Sequence, residues 1–248
     1  MSPNPKSSPK SKPPPKSSSP AKSAYLLTYN AVSAALWAAV LYQTLTIATH
    51  EISTAREAGG FFGSGAMGWA SATNRGLGSG RVYGGLEVLS RWVQTGAGLE
   101  VLHSLVGLVR APLLTTLMQV SSRFLLVWLI AYPFPQSTMH NPVYTTMLLA
   151  WSITEVVRYS YFVFTLSGVG VPKLWTWLRY NTFLVLYPLG VSSECWLVYS
   201  AIPLASRARK EYGIALWVIL AIYVPGIYVL FTHMLKQRSK VIGENREA

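Results

Sequence analysis

Residues 180–196 read YNTFLVLYPLGVSSECW, an apolar stretch that contains one carboxylate, Glu194. A helix of this composition suits the hydrocarbon core of a bilayer, where an ionisable side chain is costly and marks a functional site by default. Tyr187 precedes Glu194 by seven residues, about 20° short of two full helical turns. The two side chains therefore share a helix face, about 10 Å apart along the axis. Pro188 and Gly190 lie between them and are expected to kink the helix.

The composition of the whole chain is that of a polytopic membrane protein. Of its 248 residues, 51% are hydrophobic and 12% are charged, whereas a soluble domain carries about 25% charged residues. The net charge of +12 comes from basic residues at the ends and in short loops. That distribution favours membrane topology over nucleic-acid binding, which requires a basic face on a folded domain. The single cysteine, Cys195, excludes an intramolecular disulfide.

Six stretches are apolar enough to cross a bilayer, which takes about 20 residues. They are residues 25–48, 86–109, 112–132, 143–166, 180–203 and 214–235. The sequence therefore predicts an all-α bundle of six transmembrane helices over residues 23–236. A disordered basic Pro/Ser/Lys tail is expected at 1–22, a short cytosolic tail at 237–248, and one long Gly-rich loop at 59–85.

The distribution of basic residues predicts the orientation of these spans. With the N-terminus in the cytosol, the cytosolic side holds twelve Lys and Arg residues and the opposite side holds six. Because cytosolic loops carry the excess of positive charge, both termini are expected in the cytosol. The RARK sequence at 207–210 falls on the opposite side and argues mildly against this orientation.

Several ionisable residues inside the predicted spans can neutralise one another. Glu87 and Arg91 are four residues apart and Glu155 and Arg158 are three apart, so each pair can meet on one helix face. Arg123 could pair with a carboxylate of another span. Together these residues predict helices that face a shared polar interior.

Two motif-like patterns are misleading. Residues 103–110, HSLVGLVR, fit the frame of a tyrosine phosphatase, but Ser104 replaces the cysteine whose thiolate that chemistry needs. Glu100-x-x-His103 is half of a di-iron motif, and no second copy exists. We therefore expect no phosphatase activity, no metal and no other cofactor.

Two interpretations of Tyr187 and Glu194 remain open at this point. Glu194 could form a structural ion pair with Arg123 or Arg158 of another span. Alternatively, the carboxylate could remove a carbon-bound proton while the tyrosine hydroxyl donates one. Without a metal, a nucleotide-binding loop or a nucleophile, the second interpretation predicts lyase or isomerase chemistry on a lipid-like substrate.

Four stretches resemble the eukaryotic 3-hydroxyacyl-CoA dehydratases of very-long-chain fatty-acid elongation, also called protein-tyrosine-phosphatase-like proteins. They are LEVLHSLVGLVRAP (99–112), QVSSRF (119–124), WSITEVVRYSYF (151–162) and LRYNTFLVLYPLGVSSE (178–194). The last stretch is long and specific. The family usually has His-Cys and Pro where this chain has His103-Ser104 and Arg110, a difference outside the dehydratase motif.

The resemblance implies removal of water from a (3R)-3-hydroxyacyl-CoA to give the trans-2-enoyl-CoA, in the endoplasmic reticulum membrane. The family's catalytic tyrosine and glutamate correspond to Tyr187 and Glu194. Arg158 and Tyr159 are then expected to polarise the thioester carbonyl or to hold Glu194. The remaining residues expected to support the site or attract the CoA phosphates are Tyr180, Arg110, Lys173 and Arg179.

The implied partners are the acyl-CoA substrate, the lipid bilayer and the other elongation enzymes, namely the condensing enzyme, the ketoacyl reductase and the enoyl reductase. Two other functions stay open. A catalytically idle family member could act as a scaffold for the elongase complex. A small-solute transporter would often show inverted repeats, and none is visible in the sequence.

Overall fold

The computed structural model describes residues 19–58, 65–109 and 113–247, apart from the side chains of residues 66 and 242–247. Within these ranges all regular structure is helical, which confirms the predicted all-α class. The helices are α1 Pro20–Ala58, α2 Ala66–Leu77, α3 Arg81–Gly96, α4 Gly98–Leu105, α5 Leu113–Phe124, α6 Pro135–Thr138, α7 Pro142–Ser167, α8 Lys173–Asn181, α9 Phe183–Ala208 and α10 Lys210–Glu247. A π-helical segment, Leu125–Ala131, continues α5.

Four helical segments in the described part of the chain are long and apolar enough to cross a membrane. They are α1, α5 with the π segment, α9, and Lys210–Val241 of α10. The predicted span 86–109 instead forms two shorter helices, α3 and α4, separated at Ala97. The predicted span 143–166 falls on α7, which has the length but whose polar residues interrupt its apolar sequence.

Local sequence signals explain where α7 begins and ends. The side chain of Asn141 accepts a hydrogen bond from the backbone N–H of Val143 at 3.1 Å, which caps the first turn. Pro142 occupies the first turn, where its missing N–H has no consequence. Gly168 ends the helix with a φ of 76°, a left-handed conformation that glycine adopts without strain. These signals fix the two ends of α7.

Helices α1, α7 and α9 form the centre of the packing, and neighbours in this group are antiparallel. The rings of Tyr29, near the start of α1, and Tyr159, near the end of α7, lie 6.1 Å apart. Thr146 and Ser193 are hydrogen-bonded across α7 and α9 at 3.2 Å. The hydrophobic core lies between these helices, α3 and the π segment, and its fully buried side chains include Trp37, Val40, Leu86, Leu126, Ile130, Met147, Leu148, Leu197 and Val198.

Helix α10 lies antiparallel along α9. The hydroxyl of Tyr223 bonds the carboxylate of Glu194 midway along the pair. Further along α10, the guanidinium of Arg238 bonds Asn181, the last residue of α8, just before α9 begins. Helix α9 is one helix through Pro188, although that proline cannot donate the usual backbone hydrogen bond. The face of α9 that carries Tyr187 and Glu194 packs against α10, through Phe231 and Tyr223.

The prediction of one long loop at 59–85 is wrong in part, because much of this segment is helical. Helix α1 extends to Ala58, α2 fills Ala66–Leu77, and residues 59–64 lie outside the described ranges. A Cβ on Gly76 would lie 2.6 Å from the backbone nitrogen of Ile52. Glycine at this position therefore allows α2 to pack directly on α1. The glycine-rich composition predicted a loop instead and gave no sign of this packing.

The structure describes only part of the two predicted tails. Residues 1–18 lie outside the described ranges, and α1 begins at Pro20. Helix α10 continues without a break to Glu247, through most of the predicted tail at 237–248. The domain boundaries therefore remain predictions.

Candidate active site

Glu194 is buried in the middle of α9, and both of its carboxylate oxygens accept hydrogen bonds from neutral donors. The indole Nε1 of Trp151, on α7, donates to Oε1 at 2.9 Å. The hydroxyl of Tyr223, on α10, donates to Oε2 at 3.0 Å. Among the described residues no ion pair includes Glu194, so the structural pairing with Arg123 or Arg158 is not what the structure shows. Neighbouring helices thus hold a carboxylate whose negative charge no direct ion pair neutralises.

Tyr187 lies two turns before Glu194 and is half-buried. Its ring stacks on Phe231 of α10, with centroids 5.8 Å apart and planes inclined by 17°. Tyr187 and Glu194 both line one cavity, as their predicted common helix face requires. A ligand in this cavity could therefore meet a phenol and a carboxylate together.

The cavity has a volume of about 1390 Å³ and is bounded by parts of α1, α3–α5, the π segment and α7–α10. Drug-sized ligands occupy pockets of about 300–1,000 Å³, so this cavity suits a larger molecule. On α10 its wall is one stripe at helical spacing, with Ile219, Tyr223, Gly226, Leu230 and Gln237 among its residues. Ile219 and Gln237 are eighteen residues apart, so the cavity follows α10 for about 27 Å.

A cluster of paired charges forms another part of the cavity wall. Arg158 binds Glu100 of α4 through two hydrogen bonds of 2.7 Å, and its Nε donates to Glu155 at 2.7 Å. Arg123 of α5 also binds Glu155, and the hydroxyl of Tyr159 donates to Glu100. The predicted Glu155–Arg158 pair is confirmed, and it belongs to a network of two acids and two bases.

The charge cluster reaches the Glu194 site through Arg123 and Trp151. The guanidinium of Arg123 lies over the Trp151 ring, 5.2 Å from its centroid, while the indole N–H of Trp151 bonds Glu194. Arg158 and Tyr159 were expected at the thioester carbonyl or on Glu194. Their hydrogen bonds go to Glu100 and Glu155, so neither side chain binds Glu194 directly. Arg158 lines the same cavity as Glu194, and its role at the thioester carbonyl stays a prediction.

The second predicted intrahelical pair, Glu87 and Arg91, lies apart from the cavity. The two side chains meet at 3.0 Å, as their spacing predicts. The guanidinium of Arg91 also lies over the rings of Trp128 and Tyr132, at 4.9 and 4.1 Å from the centroids. This pair fastens α3 to the π segment.

The residues expected near the CoA phosphates occupy different positions. Arg179 and Tyr180 line one end of the cavity, and the Arg179 guanidinium lies over the ring of Tyr161 at 4.4 Å. Lys173 begins α8 and is exposed outside the cavity wall. Arg110 lies outside the described residues.

The phosphatase-like frame does not form a phosphate cradle in its described part. The prediction that this segment is helical is correct only as far as Leu105, where α4 ends. The backbone N–H groups of Leu108 and Val109 both bond the carbonyl of His103, so they are not directed at a ligand. His103 itself is hydrogen-bonded to the hydroxyl of Tyr25 at 2.8 Å. Within the described residues no group of three His, Cys, Asp or Glu side chains could hold a metal ion.

Sequence reasoning missed three residues of the site. Trp151 and Tyr223 bind Glu194 from other helices, and neutral aromatic residues in apolar spans give no signal of that contact. Gln94 of α3 is fully buried on the cavity wall, and its side-chain amide has no hydrogen-bond partner in the part of the chain that the structure describes. Its polar character within a predicted span was the one available signal.

The fold and the site define a helical protein with membrane-length segments and a phenol–carboxyl pair on the wall of a long cavity. The family model described as "Protein tyrosine phosphatase-like protein, PTPLA" matches residues 94–244. The chain belongs to this family.

Curated relatives cover most of the chain. It is 40% identical over 222 residues to the "Probable very-long-chain (3R)-3-hydroxyacyl-CoA dehydratase" of Schizosaccharomyces pombe, covering 88% of this chain and 92% of the relative. It is 35% identical to the dehydratase PASTICCINO 2 of Arabidopsis thaliana, covering 90% and 94%. It is 30% identical to dehydratase 2 of Homo sapiens, covering 91% and 83%. No solved structure matches the chain.

Proposed function

We propose that this chain is a hydro-lyase that converts a very-long-chain (3R)-3-hydroxyacyl-CoA to the trans-2-enoyl-CoA, a step of fatty-acid elongation. Relatives from a fungus, a plant and a human are named for this activity, and this chain aligns with most of the length of each. The structural observation that supports it most is the buried Glu194 carboxylate, which shares a cavity with Tyr187 and has no ion-pair partner among the described residues.

The reaction needs one base and one acid. Glu194 removes the proton from C2, which the thioester acidifies, and the electrons of that C–H bond form the C2–C3 double bond. The C3–O bond breaks, and the departing hydroxide leaves as water with the proton of the Tyr187 hydroxyl. The proton on Glu194 then returns to Tyr187 through water, which restores both groups.

The neighbours of the pair position it. Trp151 and Tyr223 hold one oxygen of Glu194 each, which fixes the direction of the carboxylate while leaving lone pairs for a substrate proton. Arg123, beside Trp151, supplies positive charge on the cavity wall, where negative charge develops on the thioester oxygen during proton removal. Arg158 supports the site by binding Glu155, which in turn binds Arg123, and Tyr159 holds Glu100, the other partner of Arg158.

The path of the helices supports a substrate route from one end of the bundle. Arg179 and Tyr180, at the end where α9 begins, line the same cavity as Tyr187. Glu194 lies eleven residues into α9, about 16 Å along the helix. The CoA phosphates would stay at this end, near Arg179 and Lys173, with the acyl chain directed inward.

The same antiparallel packing supports the six-span topology. The chain passes through α1, then α3 with α4, then α5 with the π segment, then α7, α9 and α10, and successive passes run in opposite directions. With the start of α1 in the cytosol, the end of α10 is also cytosolic, as the distribution of basic residues predicts. We assign the protein to the endoplasmic reticulum membrane, together with the condensing enzyme, ketoacyl reductase and enoyl reductase of elongation.

One assay separates this function from the alternatives. The purified protein in a lipid bilayer is incubated with a (3R)-3-hydroxyacyl-CoA, and the trans-2-enoyl-CoA is quantified by mass spectrometry. We expect product from wild type and almost none from Glu194→Gln. An absence of product from correctly folded wild-type protein would favour the idle scaffold, and uptake of a small solute without product would favour the transporter.

A further inference from the structure

Helices α5 and α10 both line the cavity, but they pack little against each other. Helix α10 packs mainly along α9, and α5 packs mainly against α4 and the π segment. Across the gap, the Cε methyl of Met118 would lie 3.5 Å from a Cβ built on Gly226. The Met118 side chain thus reaches Gly226 at a point where the backbones of α5 and α10 are not in close contact.

Three apolar residues on the elements beside this gap line the cavity and also keep a large exposed area. They are Leu117 of α5, Leu129 of the π segment and Ile222 of α10, which are 45%, 59% and 61% exposed. A side chain in contact with both the interior of the cavity and the outside marks an opening between them. The sparse contacts between α5 and α10 and the exposure of these residues favour a lateral opening of the cavity at this gap.

The opening lies at the depth of the candidate catalytic carboxylate. Ile222 is adjacent to Tyr223, whose hydroxyl binds Glu194. Ile222 is also twelve residues from the start of α10, about 18 Å along the helix. Because the hydrocarbon core of a bilayer is about 30 Å thick, an opening at this depth faces lipid tails rather than headgroups.

We propose that this gap is a binding slot for the acyl tail, through which the tail of the substrate passes from the cavity into the bilayer core. The inference rests on the proposed function, since it takes C2 and C3 of the substrate to lie at Glu194 and Tyr187. The occupant must be an unbranched apolar chain, because only such a chain can contact the apolar rim and hydrocarbon lipid without an unsatisfied polar group.

The slot gives the enzyme no closed end that would limit chain length. A very-long acyl chain, when extended, approaches the thickness of the hydrocarbon core, about 30 Å. A cavity that also holds the pantetheine arm would have to bend such a tail. With the slot open, each additional carbon lies among lipid tails, so chain length beyond the slot has little effect on binding.

The test narrows the slot from either side. Ile222→Trp and Leu129→Trp enlarge its two walls independently, and Val224→Trp is the matched control, since Val224 is 70% exposed on α10 but does not line the cavity. For each variant, kcat/KM is measured in bilayers with a medium-chain substrate, whose tail ends inside the cavity, and with a very-long-chain substrate.

We expect both slot variants to lower the ratio of very-long-chain to medium-chain kcat/KM by about tenfold, the effect of losing roughly two buried methylene groups. Val224→Trp should leave the ratio unchanged. An equal loss for both substrates, or the same change in Val224→Trp, would overturn the slot while leaving the proposed function intact. If wild type dehydrates neither substrate, the proposed function fails, and the slot fails with it.

Discussion

Glu155 and Glu194 are both buried among the helices, but their oxygens meet different partners. Glu155 binds two guanidiniums, those of Arg123 and Arg158. Glu194 binds the indole of Trp151 and the hydroxyl of Tyr223, which carry no charge. Opposite charges compensate a buried carboxylate and stabilise its ionised form, so Glu155 is a poor base. Neutral donors orient Glu194 without cancelling its charge, which leaves it able to take a proton.

The largest expected effect on activity comes from removing the charge of Glu194. Glu194→Gln should lower turnover per folded molecule by about 10²–10⁴-fold, the usual contribution of a positioned proton transfer. Protein abundance should be preserved, because the amide has nearly the same volume and the Tyr223 hydroxyl can accept a hydrogen bond from it. Initial rates of enoyl-CoA formation at matched protein amounts measure the effect. Glu211→Gln, an exposed acid in the first turn of α10, is the control and should behave as wild type.

The complementary change in the charge cluster should reduce stability more than chemistry. Arg158→Met leaves Glu100 and Glu155 without their shared partner, and breaking a buried ion pair costs about 3–5 kcal/mol. We expect low abundance and early thermal unfolding in detergent, with a smaller loss of turnover per folded molecule than in Glu194→Gln. Arg207→Met, at an exposed position in the last turn of α9, should leave both properties unchanged. A stable Arg158→Met protein with no turnover would show that Arg158 takes a direct part in catalysis.

A smaller effect should follow from loosening Glu194 while keeping its charge. Tyr223→Phe removes one hydrogen bond to the carboxylate, worth about 1.5–3 kcal/mol when the acceptor is charged. If part of that energy orients the base, kcat should fall by roughly tenfold with little change in KM. Steady-state kinetics on Tyr223→Phe and on Tyr228→Phe, an exposed tyrosine of the same helix, provide the comparison. Equal kinetics in the two variants would remove Tyr223 from the site.

The smallest effect is expected in the phosphatase-like frame. Ser104 lies in α4, outside the cavity lining, so Ser104→Ala should change dehydratase turnover by no more than a few-fold. Phosphatase activity should be absent from both proteins, measured with a chromogenic aryl phosphate. A loss of about two orders of magnitude in turnover, comparable to removing a proton-transfer group, would show that α4 contributes directly to catalysis.

The contrast between the two carboxylates also shows what the sequence could predict. Glu155 and Arg158 are three residues apart on one helix, so their pairing follows from helical geometry alone. The common face of Tyr187 and Glu194 follows from the same geometry. Both predictions use only distances along one helix.

The contacts that the sequence could not predict come from packing between helices. Trp151 and Tyr223 reach Glu194 from α7 and α10, and nothing in an apolar span shows which aromatic residue faces a carboxylate. Arg123 could have paired with several acids, and only the arrangement of α5 and α7 selects Glu155. Helix α2 was missed for a related reason, since its Gly76 allows close packing on α1 rather than a flexible loop.

The most direct measurement of the central claim is a double-mutant cycle on Tyr187 and Glu194. Turnover per folded molecule is measured for Tyr187→Phe, Glu194→Gln and the double variant, reconstituted in the same lipid. If the two groups act together as acid and base, each single change lowers turnover by about 10²–10⁴-fold. The double variant then loses much less than the product of the two losses, because groups that act as a unit are non-additive. Near-wild-type turnover in Tyr187→Phe, or losses that multiply in the double variant, would contradict a joint mechanism.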